Sequence, residues 1–149
     1  VIDFNLVTTR LATGGAIYTP DDVGAILDAG INAVIDCRAE FDDQALLVRT
    51  GALYFFNGMP DDGLCKPKEW FQKSIEFALS VLSRPGIKLL AHCAAGINRG
   101  PSTAAAIMMA LGWTKEAARA QIVARRPMCA GGLRYIDDAE AAVKALGYT

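Results

Sequence analysis

One stretch limits the possible folds more than any other. Ile87-Lys88-Leu89-Leu90-Ala91 is an apolar run of strand length, and Pro101 to Leu111 is apolar on nearly every side. Between them lie only nine residues, His92 to Gly100. A buried strand joined by a tight loop to a buried helix belongs to a layered α/β fold, where both elements have a partner on each side. The loop carries the only histidine, His92, followed by Cys93, Gly96, Asn98 and Arg99.

Those residue types suit one chemistry. A helix N-terminus leaves backbone N–H groups free and adds positive potential. A cysteine placed there ionises more readily. Arg99 brings a permanent charge and a planar fork that matches two oxygens of a phosphate. The intervening residues Ala94, Ala95, Gly96, Ile97 and Asn98 are enough for a loop to curl around one anion with its N–H groups inward. Cys93 is then a candidate nucleophile and residues 94 to 99 candidate anion ligands, while His92 either holds the loop and tunes the thiol through hydrogen bonds or is a satisfied core imidazole.

The rest of the chain repeats the alternation of strand and helix. Val1 to Thr13 reads as one or two short strands. Thr19-Pro20-Asp21-Asp22 has the signature of a helix start, and that helix stops at Gly30. Ile31 to Cys37 reads as a buried strand ending in Asp36-Cys37-Arg38. Leu46 to Val48 fit a short helix, and Ala52 to Phe56 a further strand. Asn57 to Gly63 reads as a loop by composition. Trp70, Phe71, Ile75, Ala78, Leu79 and Leu82 recur at helical spacing after Pro67. Thr114 caps the next helix, and a last one spans about Arg134 to Leu146. We therefore expect residues 1–149 to form one α/β domain, a central, mostly parallel sheet flanked by helices. In such sheets ligands bind beyond the carboxyl ends of the strands. Cys93, Asp61-Asp62 and Asp36-Cys37-Arg38 each follow a strand, so all three are expected at one mouth.

His-Cys-x-x-Gly-x-x-Arg, between an apolar strand and a helix, resembles the signature of the cysteine-dependent protein tyrosine phosphatase superfamily. The resemblance covers nearly the whole chain. Leu27 to Asp36 looks like the helix-Gly-Ile-strand unit of compact dual-specificity phosphatases, and Arg125-Arg126-Pro127 looks like the Arg-Pro after their penultimate helix. It implies a protein tyrosine phosphatase-like fold and hydrolysis of phosphate monoesters through a phosphocysteine, with no metal or organic cofactor. It also implies a carboxylic acid on a loop a few tens of residues before the cysteine. Met59-Pro60-Asp61-Asp62-Gly63 looks like that loop. Read as Pro-Asp-x-Gly it makes Asp61 the acid; read as Asp-Gly it makes Asp62 the acid, the alignment we favour. A Ser or Thr is usual directly after the signature Arg, and Gly100 stands there instead. The phosphatases of regenerating liver resemble this chain in that region, with Ala-Pro after the Arg, an Asp-Asp-Gly acid loop and a cysteine at the position of Cys37. Cys37 is accordingly a candidate redox partner of Cys93, or else a small buried hydrophobe.

Composition narrows the alternatives. Hydrophobic residues make up 52% and charged residues 21% of 149, which is globular. A net charge of −1 predicts neither nucleic acid nor an anionic membrane as partner. Four scattered cysteines fit neither a zinc pattern nor a disulfide scaffold, so a reducing, cytoplasmic setting is expected. No run of about 18 apolar residues is present, and neither a leader nor membrane insertion is expected. The leading expectation is a phosphatase of phosphotyrosine, phosphoserine or phosphothreonine proteins. A second keeps the site but takes a phosphoinositide, nucleotide or sugar phosphate. The absence of lysine from the loop ranks it lower. Rhodanese-like sulfur transfer also uses a cysteine loop, but the spacing to Arg99 and the acid loop argue against it. A binding module with little turnover is favoured by Gly100 and opposed by the intact Cys93, Arg99 and acid loop.

Overall fold

The computed structural model describes residues 1–148. Its centre is a five-stranded sheet in the order β1-β2-β5-β3-β4. The strands are β1 (Phe4–Leu6), β2 (Leu11–Gly14), β3 (Ala33–Arg38), β4 (Leu53–Met59) and β5 (Leu89–His92). Only β1 and β2 pair antiparallel; the other three pairings are parallel. The helices are α1 (Pro20–Asp28), α2 (Gln44–Leu47), α3 (Lys68–Leu82), α4 (Arg99–Ala110), α5 (Lys115–Arg125) and α6 (Ile136–Ala145). A short 3-10 turn, Pro127–Gly131, joins the last two.

Alternation along the central strands sorts side chains between two layers. Leu89, Ala91 and Cys93 face the same core as Ala33, Ile35 and Cys37, together with Phe71, Ile75, Ala105, Ile107 and Ala139 from the helices. Leu90 and Val34 face a smaller core with Ile17, Val23, Ile26 and Leu47. α4 is buried along almost its whole length because it lies in the thicker layer, against β2, β3, β5, α3, α5 and α6.

Local rules account for most element ends. Thr19 caps α1 by accepting from Asp22 N, and Asp22 Oδ2 accepts from Thr19 N in return. Thr114 caps α5 in the same manner through Ala117 N. Most boundaries shift by a residue or two from the sequence expectation, and two of the differences bear on the site. β4 runs to Met59, so the strand takes in Asn57, Gly58 and Met59. Asn57, a turn former in isolation, instead donates to Trp70 O and Ser74 Oγ and accepts from Trp70 Nε1. α4 begins at Arg99 instead of Pro101, which makes the signature Arg the first residue of the helix.

Candidate active site

The loop from Cys93 to Arg99 leaves β5 and enters α4 directly. Its shape is set from outside. Ala94 O accepts from Ala16 N at 3.0 Å, and Ile97 O from Leu133 N at 2.8 Å. Ala95 O and Gly96 O accept from the Arg126 guanidinium at 3.3 and 2.8 Å. Four successive carbonyls are thus turned away from the loop centre. Among the described residues, the N–H groups of residues 94 to 99 find no backbone acceptor. Carbonyls out and N–H groups unpaired is the geometry of an anion-binding nest.

Arg126 acts as the frame of this loop. It is wholly buried, and beyond the two carbonyls it binds Asp3 through both Nη atoms and Asn5 Oδ1 at 2.8 Å. A Cβ on Gly96 would run into this guanidinium and the Gly14 backbone, and Gly96 has φ +69°. Gly96 is therefore required both by conformation and by space. Leu133 takes a left-handed φ of 58° where its N–H reaches Ile97 O.

Cys93 and Arg99 are both buried, 2% and 3% exposed, at the two ends of the loop. Arg99 Nη1 and Nη2 hold the two oxygens of Glu40 at 2.8 and 3.0 Å, and Nη1 also donates to Met59 O. Its Nε is buried without a partner among the described residues. The fork is therefore oriented by Glu40, with the Nε–H left unpaired. Burial works against the Arg99 charge, but Glu40 and the nearby Cys93 outweigh it and hold the guanidinium above its ordinary value. Arg99 in turn pulls the Glu40 carboxyl down to about 2. Glu40 follows β3 and carries no signal in the sequence beyond its position after Asp36-Cys37-Arg38.

His92 lies behind the loop, on the opposite face of the sheet from Cys93. Its Nδ1 is 3.3 Å from Cys93 O and its Nε2 is 2.5 Å from Asp43 Oδ2. Asp43 and Asp36 are bridged by Arg38, which meets Asp43 Oδ1 at 2.6 Å and both oxygens of Asp36. All four side chains are wholly buried. Burial pushes the Asp36 carboxyl above its ordinary value. Asp36, Asp43 and His92 are close enough together to hold a metal ion, but the Arg38 guanidinium already bonds both carboxylates in the cation's place. This places Arg38 and Asp36 differently from the sequence expectation. Of the three strand ends, Cys93 and Asp61 come together at the anion loop, whereas Asp36 and Arg38 belong to β3 itself and are buried, and Cys37 lies in the core. Buried carboxylates need hydrogen-bonding partners, and Arg38 bonds both of them.

The two candidate acids diverge. Asp61 Oδ1 accepts from the Tyr135 hydroxyl at 2.6 Å, and Asp61 Oδ2 accepts from Asn98 Nδ2 at 3.3 Å. Asp61 therefore touches the anion loop. Asp62 instead pairs with Lys66 Nζ at 2.5 Å and accepts from Leu64 N. Lys66 holds the Asp62 carboxyl below its ordinary value. Tyr135 was not foreseen from sequence; an aromatic at the start of a helix carries no catalytic signal of its own.

Cys37 and Cys93 stand next to each other in register. Asp36 pairs with His92, so the following residue on each of these neighbouring parallel strands is a cysteine. Both are free thiols facing the α4 layer, and burial pushes the Cys37 thiol up. Gly100 packs against β5. A Cβ there would meet Ala91 O and His92 Cα at 3.1 Å, tighter than a serine fits without a shift. Ser102 Oγ accepts from Tyr135 N at 3.3 Å and is wholly buried, so it faces α6.

The sequence matches no family model and no curated protein. The fold does match solved structures across nearly the whole chain. PTPMT1 in complex with PI(5)P is 16% identical with a TM-score of 0.81, covering 96% of each chain. The human tyrosine phosphatase-like serine/threonine/tyrosine-interacting protein is 18% identical with a TM-score of 0.78, covering 98% of each. Human DUSP28 is 16% identical at 0.76, covering 96% of this chain and 94% of its own. At this identity the likeness establishes the fold: a single α/β domain of the protein tyrosine phosphatase-like type. No helix among the described residues is long and apolar enough to cross a membrane.

Proposed function

We propose that the protein hydrolyses phosphate monoesters through a phosphocysteine on Cys93. The observation that carries this reading is the loop itself: carbonyls 94 to 97 bonded outward, N–H groups unpaired, and the spare Arg99 Nε beside a buried cysteine. The Cys93 thiolate attacks phosphorus while the N–H groups and Arg99 bind the three equatorial oxygens, where transition-state charge gathers. The bond from phosphorus to the leaving oxygen breaks, and Asp61 gives that oxygen its proton. Water then attacks the phosphocysteine, Asp61 takes a proton from the water, and the Cys93 thiolate leaves. Asp61 replaces Asp62 as our choice of acid because Asp61 bonds the anion loop and Asp62 is committed to Lys66. His92, set between Asp43 and Cys93 O, orients the loop from behind.

The substrate class we favour is a phosphorylated protein, acted on at tyrosine, serine or threonine. Non-protein phosphomonoesters are the second reading, and the likeness to PTPMT1 bound to PI(5)P supports it. The Asp61 carboxyl against the anion loop, and the lack of any lysine within that loop, disfavour a polyanionic head group. The deciding experiment is phosphate release from p-nitrophenyl phosphate, then from panels of phosphopeptides and phosphoinositides. Cys93→Ser should abolish turnover and still bind phosphate or vanadate. Turnover within tenfold of the parent in that variant overturns the mechanism.

Cys37 enters the same proposal as a redox guard. Peroxide converts the Cys93 thiolate to a sulfenic acid, and the Cys37 thiol condenses with it, releasing water and forming a disulfide. The pairing needs Cα atoms within about 7 Å, the spacing of neighbours on adjacent strands. Peroxide inactivation should be reversed by a thiol reductant in the parent and irreversible in Cys37→Ser. Peptide mapping that pairs Cys93 with Cys65 or Cys129 overturns it.

A further inference from the structure

We infer that Tyr135 is a positioning residue for the acid: its hydroxyl fixes which oxygen of Asp61 carries the proton and holds the acid loop against the anion loop. This rests on the phosphatase reading above and deepens it. The Tyr135 ring is 1% exposed, and its backbone N–H is tied to Ser102 of α4, so the hydroxyl has one place to point. The Tyr135 oxygen accepts from Gly63 N at 3.0 Å, which leaves its own hydrogen for Asp61 Oδ1 at 2.6 Å. A carboxylic acid carries one proton. Oδ1 receives the phenol hydrogen at 2.6 Å, whereas Oδ2 receives only the longer Asn98 contact at 3.3 Å, so Oδ2 is the oxygen left to carry the acidic proton. That is the oxygen beside Asn98, and so the one turned to the anion loop.

The charges around the hydroxyl agree with this role. Lys66 Nζ lies 4.9 Å from the centre of the Tyr135 ring and is neutralised by Asp62. Lys66 N donates to Asp138 Oδ2, so the loop from Asp61 to Lys66 is fastened to the start of α6 at two points. Burial, and then the Asp61 carboxylate, push the phenol above its ordinary value. Tyr135 thus stays neutral and donates a hydrogen bond without competing as the proton source. The acid loop becomes a fixed part of the site, set by one phenol.

The test is Tyr135→Phe, which keeps the ring, measured by kcat/KM on phenyl phosphate and on p-nitrophenyl phosphate. Phenoxide needs its proton far more than nitrophenoxide does. We expect the ratio of the two rates to fall by about tenfold in Tyr135→Phe, as expected when general-acid help is impaired. In an Asp61→Asn background, Tyr135→Phe should change that ratio less than about twofold, because residues acting through one another are not additive. Inhibition by inorganic phosphate should be unaltered. An equal loss on both esters with weakened phosphate inhibition would make Tyr135 a packing residue and overturn the inference. So would a full additional loss in the Asp61→Asn background. Failure of the underlying reading looks different: both esters would be untouched by the parent protein, or hydrolysed without Cys93.

Discussion

The anion loop and the acid loop lie against each other and are held in different ways. Residues 94 to 97 are fixed by carbonyl bonds to four separate partners: Ala16 N, the buried Arg126, Cys129 Sγ and Leu133 N. Residues 61 to 66 are held from outside by the Tyr135 phenol, the Asn98 amide and one backbone bond to Asp138, with the Asp62–Lys66 pair closing the loop on itself. The first arrangement suits donors that must not move as charge develops, since preorganised dipoles act without reorganisation. The second suits a group whose job is one proton. It also makes the two loops separable by mutation, which gives four expectations.

Each loop contains a glycine at positive φ, Gly96 at 69° and Gly63 at 77°. Gly96→Ala should be the most damaging. The new Cβ meets Gly14 and Arg126, and activity should fall roughly a hundredfold on every substrate, as for reacting groups displaced by about 1 Å. Phosphate inhibition should weaken in parallel. Equal binding in parent and variant would show that the outward carbonyl bonds do not set the loop. Gly63→Ala meets only the end of the flexible Arg134 side chain, at 3.1 Å. It should cost about tenfold on phenyl phosphate through its effect on the acid, with phosphate inhibition unaffected. Loss of phosphate binding in this variant would mean that the two loops are one rigid unit.

Asp62→Asn is a smaller perturbation. It removes a partly exposed ion pair with Lys66, a kind of contact that contributes little. Rates on both esters should change by less than about threefold. A selective loss on phenyl phosphate would return the acid role to Asp62. The smallest effect concerns Glu40 and pH. Its carboxyl is held at about 2 by Arg99, below the ordinary value of about 4.3. A depressed carboxyl adds stability above its unfolded pKa and loses it as pH falls through the folded one. The Tm gap between parent and Glu40→Gln should therefore be present above about pH 4.3 and close towards pH 2. Glu40 is 52% exposed, so the gap corresponds to less than about 1 kcal/mol. A gap that persists unaltered at pH 2 would remove Glu40 as the orienting partner of Arg99.

How much of this could be read from the chain follows from the range of each interaction. The strand at 89–92, the helix that follows and the caps at Thr19 and Thr114 depend on neighbours within a few residues. Apolar spacing and turn chemistry therefore state them directly. The motif loop is equally local, and so Cys93, Arg99 and the need for a glycine at 96 are legible. Arg126 was marked only by resemblance, as part of Arg125-Arg126-Pro127; nothing local shows that it reaches Asp3, 123 positions away. The choice between Asp61 and Asp62 was beyond reach for the same reason. Adjacent identical residues differ only in what the fold brings to them, and Tyr135 is 74 positions from Asp61. Asn57 to Met59 read as loop because their local preference is turn, while in the fold Trp70 and Ser74 satisfy Asn57 within a strand.

By itself the sequence determined the alternating α/β architecture and the loop that carries Cys93 and Arg99 between a strand and a helix, because these are written in periodicity and in a contiguous motif. Only the tertiary structure decided which aspartate meets that loop, that Glu40 holds the Arg99 fork, that Arg38 is buried between Asp36 and Asp43, and that the Tyr135 hydroxyl bonds Asp61. The physical reason is that a buried charge or hydroxyl takes whichever partner packing delivers. That partner is set by sheet order and layer, across separations of 59 and 74 residues for Arg99 and Tyr135.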